Sequence, residues 1–307
     1  MKVRPLVGRS GHLSHLGKVM NREPVEISVP FWELLSPPRL ETYFEYASRR
    51  SRDAKRPPQD MLSPGEMSEL ASDYETRREV AACRLYFWDS YVAASFWPSV
   101  SFTEVVLRNA INDCLCSYFK VDKEDGWYEL VRRESDFSQE ILTDTDKWKV
   151  EVKKSLILRD EDYRKFNKEF DRLRSRYHRR EKLGDLFVAK MPLGIWAMLL
   201  SNGDSSPGKG YLNYEQTLWE PCLKYAFPNF SEKRSQLREE IRTFSKLRNR
   251  IAHHEHLLGK NLSRHIENIE NILGYIDGPA ADFFSDFNRI KQAIEAKDKF
   301  LSGGMRI

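Results

Sequence analysis

Arg248, Asn249 and His253 lie close together in the stretch FSKLRNRIAHHEHLLGKN, residues 244–261. Their types suit acid–base work on an anionic substrate. An imidazole takes up a proton in one form and delivers one in the other, and its ordinary pKa keeps both forms accessible near neutrality. A guanidinium stays protonated, and its planar fork of donors matches charge developing on phosphate oxygens. Asn249 and His253 stand four apart, side by side on a helix face, where the amide can orient the ring. His254 and His256 come directly after and read as helix-end cations or anion contacts.

A helix must position these groups. At 100° per residue from Leu237, Ile241, Phe244, Ile251 and Ala252 fall within about 60°, forming an apolar stripe with Arg248 at about 20° inside it. A guanidinium there requires an acidic partner or an anionic surface to face. Arg248 and His253 are about 140° apart around the axis, so one copy cannot easily aim both at one atom. Two copies across a two-fold axis can, and a homodimer is expected. The plainer alternative is a helix C-terminus favouring cations, with Arg248 in a structural ion pair. Ser231 is the expected cap and Gly259 the expected stop, giving a helix over about 231–258.

Helical periodicity dominates the rest, with no sustained period-two pattern. The chain reads as all-α. A helix opens at Ser36-Pro37-Pro38, a second is expected from Ser68 to Pro98, and a third covers SFTEVVLRNAINDCLCSYF. A long basic helix falls between 150 and 181. A short apolar helix opens at Pro192, NYEQTLWEPCLKYAF is a further helical piece, and two helices over 261–276 and 279–300 complete the chain. Residues 1–28 are expected to be a poorly ordered extension, with Met20 an alternative start, and residues 29–307 one domain.

At 307 residues the chain can bury a sizeable core. A net charge of +4 is mild, so any nucleic-acid affinity must come from local patches. Four cysteines are too few for a disulfide framework and point to a reducing, cytoplasmic compartment. Cys114 and Cys116 diverge on a helix, and no second pair completes a zinc set. No apolar run is long enough to span a membrane.

The segment YRKFNKEFDRLRSRYHRR, residues 163–180, places Tyr163, Phe166, Phe170, Leu173 and Tyr177 at helical spacing. The rest carries eight Arg/Lys against two acids, either a solvated face or a phosphate-contacting one that includes Arg172, Arg176 and Arg179. In FTEVVLRNAIN, Glu104 and Arg108 form an i, i+4 pair. Arg108-Asn109 echoes Arg248-Asn249, but position 113, where the His would fall, is Asp.

LRNRIAHHE resembles the signature of Abi-like proteins of the AbiD/AbiF type, members of the HEPN superfamily. Colinear with it run LSPPRLETYF, CRLYFWDSYVAASF, FTEVVLRNAI, MPLGIWAMLLSNG and LNYEQTLWEPCLKYAFPN, across roughly residues 31–290. Two departures concern local packing: Asp89 stands where the pattern has Asn, and His256-Leu257 where it has Pro-Ile. The resemblance implies a HEPN-type helical bundle with additional helices. It implies a metal-independent, cofactor-free endoribonuclease, with Arg248, Asn249 and His253 catalytic and a 2′,3′-cyclic phosphate product from 2′-OH attack. Arg172, Arg176, Arg179, Arg108 and His254 are the expected RNA contacts. The implied setting is antiviral defence or a toxin–antitoxin pair, with a small inhibitory or scaffold RNA as partner. The alternative is a non-catalytic RNA-binding protein.

Overall fold

The computed structural model describes residues 35, 37–53, 74–131, 158–203 and 213–304. The expectations for residues 1–28 and for Ser36 as a cap lie outside them. Among the described residues the fold is all-α, with one isolated bridge, Gly203 to Asn213, and no named strand. No helix is long and apolar enough to cross a membrane among these residues.

Helix α1 (Pro37–Asp53) packs on α2 (Tyr74–Phe119), a 46-residue spine about 69 Å long. Two helices were expected there with a break at Pro98, but the helix runs through it. The proline lies on the exposed side, so the hydrogen bond its missing amide removes falls on the solvent face of the helix. On the buried side Val92, Phe96, Val100 and Leu107 keep the chain seated. The short α3 (Tyr128–Val131) comes after a turn at Gly126, whose φ is 71°. A Cβ at that position would sit 2.0 Å from a Tyr128 ring carbon, so only glycine fits.

The expected 150–181 helix appears as α4 (Asp160–Arg176), the residues before 158 lying outside those described. It buries Phe166, Phe170 and Leu173. Phe166 and Phe170 join Trp127, Tyr128 and Trp196 around Phe187, which belongs to α5 (Gly184–Lys190). Next come α6 (Leu193–Leu199), a π-turn over Glu215–Trp219 and a 3₁₀ turn over Leu223–Ala226.

Helix α7 (Arg234–Ala252) carries the RN…H segment, and α8 (Leu262–Ile276) packs against both it and α2. The expected 279–300 helix divides into α9 (Gly278–Phe287), α10 (Ile290–Glu295) and α11 (Lys297–Leu301). Asn288 turns extended and its side chain caps the Phe284 carbonyl at 3.0 Å, which ends α9. Trp88 then donates to the Ala293 carbonyl at 3.1 Å and Arg84 to the Leu301 carbonyl at 2.9 Å, holding α10 and α11 on the spine.

Helix α7 is shorter at both ends than the 231–258 expectation. Its N-cap is Lys233, with no side-chain cap. The start is pinned instead by Arg234, which pairs with Glu215, donates to the Ser201 carbonyl at 2.6 Å and lies over the Trp219 ring.

Candidate functional site

One carboxylate organises the site. Glu104, on the spine, accepts from Arg108 one turn later through Oε1 and from Arg248 Nε at 2.9 Å through Oε2. Arg248 thus finds the acid its place in an apolar stripe demands: Leu237, Ile241, Phe244, Leu247 and Ile251 are buried beside it. The two arginines differ in exposure. Arg108 is buried and donates through Nη1 to the Val188 and Ala189 carbonyls, at 3.0 and 2.9 Å. Those are C-terminal carbonyls of α5, which helix ends leave open to cations. Burial holds the Arg108 guanidinium below its ordinary pKa, and Arg248 adds to that while Glu104 opposes it. The Arg248 side chain keeps 29% of its surface exposed. Two guanidiniums on one carboxylate leave a surplus positive charge, and Arg248 carries it to the surface.

Arg248 Nη1 donates to Asn249 Oδ1 at 3.2 Å. The amide oxygen expected to orient the His253 ring is therefore turned toward the guanidinium, and no side-chain hydrogen bond among the described residues joins Asn249 to His253. Both residues are exposed.

The helix ends before the histidines rather than at Gly259. His253 is the C-cap and His254 adopts φ 55°. The His254 amide donates to the Ile251 carbonyl at 3.1 Å and the Glu255 amide to the Arg250 carbonyl at 2.8 Å. This is a Schellman closure with histidine where glycine is usual. Arg250 seals it by donating to the His256 carbonyl at 3.0 Å.

Asp89 anchors the chain just beyond this closure. Its carboxylate accepts from the Leu257 amide at 3.0 and 3.1 Å and from the Tyr43 hydroxyl at 2.8 Å, joining α1, the spine and the 253–258 turn. Burial raises the Asp89 pKa, while the hydrogen bonds from Tyr43 and Leu257 pull it down. Asp89 and the His256-Leu257 pair meet here: Leu257 is buried, and the His256 ring lies edge-on to Tyr43. The turn is thus held from behind, and the histidines project from a fixed base. A cleft of about 310 Å³ opens beside it, lined by Tyr43, Tyr86, Trp97, Ile251, His254 and Glu255 among others.

The structure brings Glu104, Arg108, Arg248 and Asn249 together and leaves His253 and His254 exposed at the adjoining helix end. The basic residues of α4 form a separate group. Arg172 is exposed and pairs with Glu169 at 2.9 Å, Arg176 lies over the Tyr177 ring, and Arg179 is exposed in the turn after the helix. None of them shares an ion pair with the Glu104 cluster among the described contacts. Sequence reasoning found the Glu104–Arg108 pair from its spacing but not its link to Arg248, 144 residues away. The only signal was Arg248 itself, a cation in an apolar stripe. Compared with protein-family models, with curated proteins and with solved structures, the chain matches none.

Proposed function

We propose that this protein is a metal-independent endoribonuclease of the HEPN type, an effector of antiviral defence or of a toxin–antitoxin pair acting in the cytoplasm. The observation that carries this reading is the sharing of Glu104. One carboxylate fixes the Arg248 guanidinium at 2.9 Å while also holding Arg108, so the cluster keeps a surplus positive charge and Arg248 stays part-exposed, on the helix that ends in the exposed His253. His253 takes the proton from a ribose 2′-hydroxyl and returns one to the departing 5′-oxygen. Arg248 stabilises the charge on the phosphorane between those steps. The bond from 2′-oxygen to phosphorus forms as the 5′-oxygen bond breaks, giving a cyclic phosphate.

Arg248 faces the spine and His253 faces solvent beyond the helix end, so the active unit is a homodimer in which each copy completes the other's site. Support comes from Trp97 and Val105, large apolar side chains exposed on the helix that carries Glu104. The alternative, a non-catalytic RNA-binding protein, draws on the same ion pair, because Glu104 satisfies Arg248 without any substrate.

The purified full chain is incubated with RNA in EDTA. Cleavage with cyclic phosphate ends is expected, and none on RNA with methylated 2′-hydroxyls. His253→Ala lowers the rate about 10²–10⁴-fold and leaves RNA binding intact. A His253→Ala protein cutting at the wild-type rate reduces the histidine to a helix-end cation, and the scaffold reading takes over.

A further inference from the structure

Cys114 and Cys222 are far apart in sequence and were not paired by sequence reasoning, which compared Cys114 only with Cys116. In the structure their sulfurs are 3.3 Å apart. Cys114 lies on the spine and Cys222 just before the 3₁₀ turn. A disulfide bond of about 2.05 Å needs the sulfurs to close by roughly 1.3 Å, within reach of side-chain rotation. The two differ in access. Cys222 is buried, whereas Cys114 is part-exposed. Both line an open cleft of about 570 Å³ walled by Tyr118, Pro221, Tyr225 and Pro228 among others. That volume lies within the range of small-molecule sites.

We propose that Cys114 and Cys222 form a thiol–disulfide exchange site for small disulfides entering this cleft, with Cys114 attacking and Cys222 resolving. The Cys114 thiolate attacks one sulfur of the small disulfide, breaking its S–S bond and releasing one small thiol. The Cys222 thiolate then attacks the Cys114 sulfur of the mixed disulfide and releases the second. The protein dithiol is oxidised by two electrons, the small disulfide is reduced to two thiols, and the two protons from the protein thiols end on them.

The environment assigns the order. As a neutral thiol, Cys114 donates to the Cys222 carbonyl at 2.8 Å. As a thiolate it accepts from the Cys222 thiol and from the Ala226 amide, which holds it below the ordinary thiol range against the opposing effect of burial. Cys222, turned toward Cys114 and buried, is held above that range. The remaining thiols make poor competitors. Burial pushes Cys83 up to about 11 and raises Cys116 as well. The proposal is independent of the ribonuclease reading, since neither cysteine belongs to the Glu104 cluster.

The test uses the full chain with oxidised glutathione as the probe, then alkylation and peptide mass analysis. The wild-type protein is expected to lose two of its four free thiols and to yield a peptide pair joined through Cys114 and Cys222, reversed by dithiothreitol. Cys222→Ser should trap one glutathione on Cys114, and Cys114→Ser should remain unmodified. A protein with Cys83→Ala and Cys116→Ala should behave as wild type. The proposal is overturned if all four wild-type thiols stay alkylatable, if glutathione remains on Cys114 without cross-linking, or if Cys83 or Cys116 reacts first.

Discussion

Arg108-Asn109 and Arg248-Asn249 are the same dipeptide on two helices, and Glu104 holds both guanidiniums. Their surroundings separate them. Arg108 turns its Nη1 to two backbone carbonyls inside the fold, whereas Arg248 turns its Nη1 to Asn249 at the surface. Five residues beyond the first arginine stands Asp113, paired with Lys123 at 2.6 Å, and five beyond the second stands His253, exposed at the C-cap of α7. One copy braces the spine against α5, and the other presents a part-exposed cation on a helix that ends in an exposed histidine. Residue identity does not set the role. Burial and the remaining hydrogen-bond partners do.

The contrast breaks most easily at the buried copy. Arg108→Leu strands the Val188 and Ala189 carbonyls and half of the Glu104 carboxylate. Losing one partner of a buried ion pair costs about 3–5 kcal/mol, which should appear as a lower urea midpoint. A loss under about 1 kcal/mol would make Arg108 dispensable to the fold and undo the contrast.

The surface copy should respond in activity instead. Arg248→Ala is expected to lower RNA cleavage about 10²–10³-fold, as removal of one transition-state donor does. Its urea midpoint should move little, because a part-exposed pair contributes about 1 kcal/mol or less. If the protein unfolds while cleavage per folded molecule holds, Arg248 is a second brace.

A smaller effect sharpens the account of the helix end. His254 occupies a left-handed conformation that glycine adopts freely, so His254→Gly should stabilise the protein by about 1 kcal/mol. A destabilised variant would mean that the His254 ring holds the turn more strongly than its backbone strains it.

The smallest expected effect is a pH dependence at Asp89. Its carboxyl pKa is raised in the fold, so the folded state binds that proton more tightly than the unfolded chain does. Its contribution to stability is present at acid pH and declines as pH rises through the ordinary carboxylate range and on to the raised folded value. Asp89→Asn keeps an acceptor for Leu257 and Tyr43 without the charge, and its stability should be flatter with pH. Parallel slopes for the two proteins in urea titrations at stepped pH would remove burial as the dominant influence on Asp89.

The fold class was legible because 3.6-residue periodicity reports a buried face directly, and the stripe of Leu237, Ile241, Phe244 and Ile251 is buried as its spacing requires. Boundaries were less legible. Pro98 looked like a stop because its missing amide is a local property, but its exposed placement depends on the packing of the whole spine. Gly259 looked like the end of α7, yet the closure six residues earlier depends on Arg250 and on Asp89, 168 residues away from Leu257. The same limit hid half of the site. The i, i+4 spacing of Glu104 and Arg108 is visible in one stretch, whereas the Arg248 and Cys222 partnerships exist only once the chain has folded back on the spine.

The attachment of α10 and α11 to the early part of the spine bears on how the protein is made. Trp88 meets its partner Ala293 across 205 residues, and Arg84 meets Leu301 across 217. At about 5–20 residues per second, a ribosome finishes the Trp88 segment roughly 10–40 s before the segment that covers it. For that interval Leu85, Trp88 and Val92 emerge with part of their apolar surface bare, an invitation to chaperones and to wrong partners alike. Faster decoding between these segments should raise the soluble yield, and a pause there should lower it.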